Sequence, residues 1–130
     1  MQQPLELILA RQWAESLSVA VFLVDPEGLL VFYNEPAGEV LGMRFEETGE
    51  LPLEAWSTVF RPTDEDGQPF PADRLPLVQT LRGRQAAHAA FWVEGHDRVR
   101  RRIQVTAIPI PGVGHELVGA AAFFWEDRPS

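Results

Sequence analysis

The C-terminal stretch Leu117–Glu126, LVGAAAFFWE, decides the fold because it is apolar at every position up to Trp125. A short apolar run rich in aromatic residues predicts a β-strand, and it is about half as long as a membrane-spanning helix. Alternate residues of a strand point to opposite sides of a sheet. One side carries Leu117, Ala121, Phe123 and Trp125, and the other carries Val118, Ala120, Ala122 and Phe124. A sheet with this strand therefore needs cover on both faces.

A β-hairpin is predicted near the N-terminus. Residues 18–24, SVAVFLV, form a β-branched apolar run too short for a helix, and residues 29–33, LLVFY, form a second one. Between them, Asp25-Pro-Glu-Gly28 places Asp, Pro and Gly where a type I turn favours them. The two runs are therefore expected to pair as antiparallel strands.

Short helices are predicted after the hairpin. Asn34 is a good N-cap, and Gly42 suits the C-terminal cap of a helix over residues 35–41. Residues 43–72 are expected to be irregular, since glycines and prolines interrupt them, except for a helical piece over 53–60.

A further helix is predicted over residues 75–82, with Asp73 as its cap and Gly83 at its end. Three strands are then expected over residues 86–94, 99–108 and 117–126. Turns are predicted at Gly95-His-Asp97 and Pro111-Gly-Val-Gly114. Two strands, helices and three strands predict an α+β fold with one five-stranded antiparallel sheet and short helices on one face.

An N-terminal amphipathic helix is predicted within residues 1–17, ahead of a domain over residues 18–127. Its apolar residues recur at helical spacing and give one stripe: Leu5, Ile8, Leu9, Trp13 and Leu17. This helix, or a second subunit, is expected to cover the sheet face that the middle helices leave open.

Composition limits the class of protein. With 130 residues and 45% hydrophobic content, the chain has the size and composition of one globular domain. It contains no Cys, which excludes disulfides, thiolate metal sites and a cysteine nucleophile. The net charge of −8 disfavours binding to nucleic acid. The first residues lack a secretory signal, so a soluble, cytoplasmic protein without a membrane segment is expected.

Over nearly its full length the sequence resembles a PAS domain. The resemblance rests on the order and spacing of five segments: residues 21–34 as the opening hairpin, 37–42 as the helix after it, 66–69 with 75–83, 105–109, and 118–127 as the final strand. It implies a sheet folded against short helices that enclose a ligand pocket or a packed core.

The resemblance also implies a non-catalytic sensory module. PAS domains sense small molecules, cofactors, light or redox state, and many form homodimers through the N-terminal helix or the sheet. They usually precede histidine kinases of two-component systems, cyclases or transcription regulators, so an effector or partner of that kind is expected. The resemblance places signal output at Glu126 and Asp127, where the family often has an Asp at the end of the strand.

Cofactor chemistry is restricted by the sequence. A flavin–cysteinyl adduct is excluded because there is no Cys. The resemblance implies that a haem-binding member would carry a His on the helix before the three strands; residues 75–82 contain none, so haem is not expected, and ligation by His88 is the remaining alternative. His88, His96 and His115 lie at no metal-binding spacing, and the acidic turn 64–66 lacks the regular ligands of a calcium loop. No metal site is therefore predicted.

An apolar pocket between the middle helices and the sheet is predicted from eight residues: Trp56, Phe60, Leu77, Leu81, Ile103, Val105, Ala107 and Ala121. A filled core without a cavity is the alternative, and it would make the chain a ligand-free dimerisation scaffold.

Two other interpretations stay open. A small enzyme resembling ketosteroid isomerase would need a buried carboxylate on an inward-facing strand position, where the sequence has apolar residues. Arg98, Arg100 and Arg102 share one strand face, which is typical of a solvated surface but also suits an anionic ligand or an acidic partner.

Overall fold

The computed structural model describes residues 4–95 and 97–127. Five strands form one sheet in the order β2-β1-β5-β4-β3, and all neighbours are antiparallel. Their bounds are β1 Ala20–Val24, β2 Leu30–Tyr33, β3 Ala87–Glu94, β4 Arg100–Pro111 and β5 Leu117–Glu126. The predicted α+β class with a five-stranded antiparallel sheet is confirmed.

Within residues 4–95 and 97–127, five α-helices accompany the sheet: α1 Leu5–Ala14, α2 Glu35–Leu41, α3 Phe45–Thr48, α4 Leu53–Val59 and α5 Pro76–Gly83. Asn34 caps α2, since its side-chain oxygen accepts a hydrogen bond from the Ala37 N–H at 3.2 Å. Gly42 ends α2 in the left-handed conformation, with φ of 76°. In the part of the chain that the structure describes, no helix is long and apolar enough to cross a bilayer.

The start of α5 differs from the prediction. Residues Ala72–Arg74 form a separate 3₁₀ turn, and α5 begins after Leu75 without a side-chain cap, so Asp73 is not its N-cap. Leu75 is extended because it precedes Pro76, which disfavours the helical conformation of the residue before it. Helix α3, only four residues long, was not predicted because so short a segment carries no periodic signal.

Strand β4 is longer than expected because it continues through two prolines. Beyond Ala107, the last residue of β4 that pairs with β3, the strand pairs only with β5. A proline in a sheet is tolerated where its missing N–H would face an open edge. Strand β4 can therefore continue through Pro109 to Pro111, where the sequence predicted a turn to begin.

Two apolar clusters lie on opposite faces of the sheet. We call the face covered by α2, α4 and α5 the inner face, and the face against which α1 packs the outer face. On the outer face, Leu7, Ala10 and Ala14 of α1 pack against buried residues of the sheet that include Val21 and Ala121. Small side chains let the helix approach closely, and a Cβ at Gly119 of β5 would lie 3.2 Å from Leu7 Cδ1 of α1.

Most of the predicted apolar stripe of α1 is not buried against the sheet, although Ile8 is half-buried and Trp13 stacks on Phe123 of β5. Leu5, Leu9 and Trp13 are 66%, 49% and 40% exposed. Leu17 is exposed as well and lies beyond the end of the helix. The helix packs mainly through a neighbouring face, where Leu7 is buried and two alanines at helical spacing allow the backbone to approach the sheet.

Candidate functional site

A cavity of about 80 Å³ lies between the inner face of the sheet and the helices. Every residue that lines it is apolar: Phe22, Leu41, Trp56, Phe60, Pro62, Leu75, Leu77, Phe91, Val93, Ile103, Val105, Ala122 and Phe124. Helices α2, α4 and α5 and four of the five strands contribute to this lining. The cavity is therefore an apolar space within the inner cluster.

Trp56 fixes one wall of the cavity. Its indole Nε1–H donates a hydrogen bond of 2.7 Å to the Gly28 carbonyl oxygen in the β1–β2 turn. Its ring meets that of Phe22 edge-on, with centroids 5.4 Å apart, and Phe22 in turn stacks on Tyr33 at 5.9 Å. Because a buried indole N–H needs a partner, this bond determines the position of α4 against the hairpin.

Five of the eight residues predicted for the pocket line this cavity: Trp56, Phe60, Leu77, Ile103 and Val105. Leu81 and Ala107 belong to the surrounding inner cluster without reaching the cavity. The prediction for Ala121 is wrong, since this residue packs under α1 on the outer face.

The error at Ala121 is one of strand parity. Val105 pairs with Phe124 and Ala107 with Ala122 across the antiparallel ladder, so the even-numbered residues of β5 share the inner face with them. The sequence shows two apolar sides of β5 and no polar side that would distinguish inner from outer. Strand β1 is likewise apolar on both sides. For this reason the sequence did not identify Phe22, Ala122 and Phe124 as residues that line the cavity.

The described walls of the cavity offer a ligand no free polar side-chain group. Among the described residues that line it, none is titratable and none offers a polar side chain except the indole of Trp56, which is already hydrogen-bonded. Pockets for drug-sized ligands occupy about 300–1,000 Å³. At about 80 Å³, this space accommodates a molecule of a few non-hydrogen atoms, and flavin or haem would require the walls to move. The carboxylate that an isomerase needs is absent from these walls.

The predicted output residues lie in an ionic network at the end of β5. Arg102 Nη1 donates to Asp127 Oδ2, and Gln104 Nε2 donates to the same oxygen at 3.0 Å. Arg101 Nε lies 3.6 Å from Glu126 Oε1. The end of the last strand is thus held by side chains of β4.

Glu65 joins this network from a distant loop. Its Oε1 accepts from Arg102 Nε at 2.7 Å, and its Oε2 accepts from Trp92 Nε1 at 3.1 Å. The hydrogen bonds from Arg102 and Trp92 lower the pKa of the Glu65 carboxyl, and hydrogen bonding to Glu65 raises the pKa of Arg102. Sequence spacing gave no signal for this contact, because 37 positions separate Glu65 from Arg102.

Three of the four tryptophans lie towards the outer side of the sheet, where α1 leaves part of it uncovered. Trp125 is 46% exposed, Trp13 stacks on Phe123 at 5.9 Å, and Trp92 lies under the Arg100 guanidinium at 4.6 Å. We call Trp13, Trp92 and Trp125 the tryptophan surface. Aromatic and Arg side chains of this kind are enriched in protein interfaces.

The histidines are dispersed. His88 is exposed on β3, with Nδ1 2.7 Å from Thr106 Oγ1 and Nε2 2.8 Å from Gln104 Oε1. His115 is exposed in the β4–β5 connection, and His96 lies outside the described residues. Within residues 4–95 and 97–127, no three His, Asp or Glu side chains are grouped as a metal site requires.

No family model and no curated protein matches the sequence. Solved structures do match. A PAS domain from Colwellia psychrerythraea has a TM-score of 0.65 and 15% identity, covering 92% of this chain and 97% of that one. A PAS domain from a two-component sensor histidine kinase has a TM-score of 0.61 and 12% identity, covering 95% and 97%.

A third match is the LOV protein of Rhodobacter sphaeroides, with a TM-score of 0.73 and 16% identity. It covers 93% of this chain and 67% of that chain. At these identities the likeness concerns the fold. The five-stranded antiparallel sheet with its helices is that of a PAS fold.

Proposed function

We propose that this chain, which has the PAS fold, is a non-catalytic sensory module whose inner cavity binds a small, uncharged, apolar molecule. The observation that carries the proposal is the cavity of about 80 Å³ whose lining residues are all apolar. Such walls can stabilise a ligand by burying its apolar surface. Their side chains leave no hydrogen-bonding group free, so a polar ligand would lose its hydrogen bonds to water without replacement.

The first test is native mass spectrometry of the purified chain, followed by extraction of any retained molecule. The matched control is Ala122→Val, which adds methyl groups at a position lining the cavity. We expect the wild-type chain to retain an apolar compound and the variant to retain less. Retention of a charged metabolite, or equal retention by both chains, would contradict the proposal.

We further propose that the chain forms a homodimer through the exposed stripe of α1 and the tryptophan surface. The support is physical: Leu5 and Leu9 are large apolar side chains in water, and they lie on the same helix as Trp13, which stacks on the sheet. A second copy would remove this surface from water. The three residues therefore form a candidate subunit contact.

Light scattering coupled to size exclusion tests the dimer. The double variant Leu5→Glu/Leu9→Glu adds charge to the stripe without touching Leu7, Ala10 or Ala14, so it should fold and elute as a monomer. Gln12→Glu adds charge to an exposed position of the same helix and should leave the mass unchanged. If the double variant eluted with the wild-type mass, the exposed stripe of α1 would not be part of the subunit contact.

Output to an effector, such as a histidine kinase or a regulator, is proposed to leave the domain at Glu126 and Asp127. One matched fold belongs to a two-component sensor histidine kinase, which suits such an arrangement. The scaffold alternative differs only at the cavity: a scaffold would dimerise with the cavity empty. The cytoplasmic location expected from the sequence stays a prediction.

A further inference from the structure

Arg102 contacts two segments that are far apart in sequence. Its guanidinium binds Glu65, in the loop between α4 and α5, through Nε at 2.7 Å, and binds Asp127, at the end of β5, through Nη1. Arg102 therefore links the loop to the end of β5 directly. A guanidinium has several donors in a fixed plane, so movement of one partner changes the geometry offered to the other.

The Glu65 loop starts at the wall of the cavity. Phe60 and Pro62 line the cavity, and Thr63, the next residue but two after Phe60, pairs with the edge of β3. The Thr63 N–H donates to the Trp92 carbonyl at 2.8 Å, and the Trp92 N–H donates back to the Thr63 carbonyl at 2.9 Å. Displacement of this wall therefore displaces the chain that leads directly to Glu65.

The turn that carries Glu65 is internally fixed. Asp64 Oδ1 accepts hydrogen bonds from the N–H groups of Asp66 and Gln68, at 2.9 and 3.0 Å. The Gly67 N–H donates to the Asp64 carbonyl at 3.0 Å. Because Asp64 holds the turn in one shape, Glu65 moves with the loop and not independently of it.

At the other end, Asp127 is tied to β4 by main chain and side chain together. Its N–H donates to the Arg102 carbonyl at 2.7 Å, and its carboxylate accepts from Arg102 and from Gln104. Asp127 is thus sensitive to where the Arg102 side chain lies.

We infer that Arg102 is a positioning residue that carries displacement of the cavity wall, through Glu65, to the C-terminal end of β5. As a signalling route, this inference rests on the proposed function. The neighbouring arginines lack this double contact: Arg100 binds Thr63 Oγ1, and Arg101 binds Val40, Asp97 and Glu126.

The test is a double-mutant cycle read by NMR, and it needs no ligand. Glu65→Gln removes the charge from the loop, and we expect it to shift the Asp127 amide resonance in the chain that contains Arg102. In an Arg102→Gln background, the same Glu65→Gln change should leave that resonance unmoved. Glu65 is largely exposed and Arg102 is about one-third exposed, outside both apolar clusters, so the variants should retain the folded spectrum.

Asp66→Asn is the matched control, because it removes one charge from the same turn at a residue without a described contact to Arg102. It should not shift the Asp127 amide. The inference is overturned if Glu65→Gln leaves the Asp127 amide unmoved, moves it equally without Arg102, or moves it no more than Asp66→Asn does. An empty cavity in the mass-spectrometry experiment would reject the sensor and leave this cycle unaffected.

Discussion

The two faces of the sheet are both apolar, yet they are packed in different ways. On the inner face, large side chains such as Trp56 and Phe91 meet around an unfilled space. On the outer face, α1 packs on the sheet through Leu7, Ala10 and Ala14, and the contact between these described elements leaves no comparable space. On the inner face, bulky side chains meet at their ends and leave space for a ligand. On the outer face, small side chains let α1 pack closely, and the part of the sheet that α1 does not cover stays exposed to a partner.

The largest effect is expected at Asn34, which joins the two faces. Its buried side chain accepts hydrogen bonds from the Val21 and Ala37 N–H groups and donates to the carbonyls of Ala14 and Val19. Asn34→Ala leaves these groups unpaired and should lower the free energy of unfolding by about 4 kcal/mol. Urea denaturation of the variant and the wild type measures this loss of stability.

Asn34→Asp separates the two contributions, because it keeps the oxygen that caps α2 and removes the donor that holds α1. We expect a loss of stability at least as large as that of Asn34→Ala, because a carboxylate oxygen would face the carbonyls of Ala14 and Val19, with the loss of protection in hydrogen exchange concentrated in α1. Equal protection of α1 in both proteins would mean that Asn34 does not tie the outer helix to the sheet.

A matched pair on β5 compares the faces directly. Ala121 lies under α1 and Ala122 lines the cavity, and both are almost fully buried. Ala121→Val should lower the free energy of unfolding by about 2–3 kcal/mol through overpacking. Ala122→Val should change it by less than about 1 kcal/mol, because its methyl groups enter free space. Equal losses would refute the difference in packing.

Trp56→Phe probes the inner wall alone. The substitution removes the donor to the buried Gly28 carbonyl, so the free energy of unfolding should fall by about 2 kcal/mol. Thermal unfolding of the variant beside the wild type measures this loss. A variant as stable as the wild type would show that the hydrogen bond does not hold α4 in place.

Much of this architecture follows from the sequence, because turn residues and strand runs act locally. Asn34 caps α2 as predicted, and β5 occupies the predicted residues. What sequence could not supply is non-local: the register that turns Ala122 inward, and the contact between Glu65 and Arg102. The face of α1 that packs was hidden for a related reason, since hydrophobicity favours Leu5 and Leu9 whereas close packing favours alanine.

The smallest effect concerns the exposed ion pairs. Hydrogen bonds from Arg102 lower the pKa of Glu65, and hydrogen bonds from Arg101 lower that of Asp97. Their contribution to stability is therefore present above the unfolded-state pKa, about 4, and is lost as the pH falls through the lower folded-state values.

The acid sensitivity can be measured as the fall in melting temperature between neutral and acidic pH. The fall in melting temperature should be slightly smaller in an Arg101→Gln/Arg102→Gln variant. In that variant, Glu65 and Asp97 have lost the arginine hydrogen bonds that stabilise their ionised forms, so protonating them costs less stability. Exposed pairs contribute little, so an effect that exceeds the one at Trp56 would contradict this ranking.

The central claim is that the inner face contains an apolar site and the outer face does not. Diffraction from crystals held under xenon tests it most directly, because xenon enters dry apolar cavities and scatters strongly. The account predicts a xenon peak among Phe22, Trp56 and Ile103 that disappears in Ala122→Val. A wild-type crystal with no peak there, or with its main peak beneath α1, would contradict it.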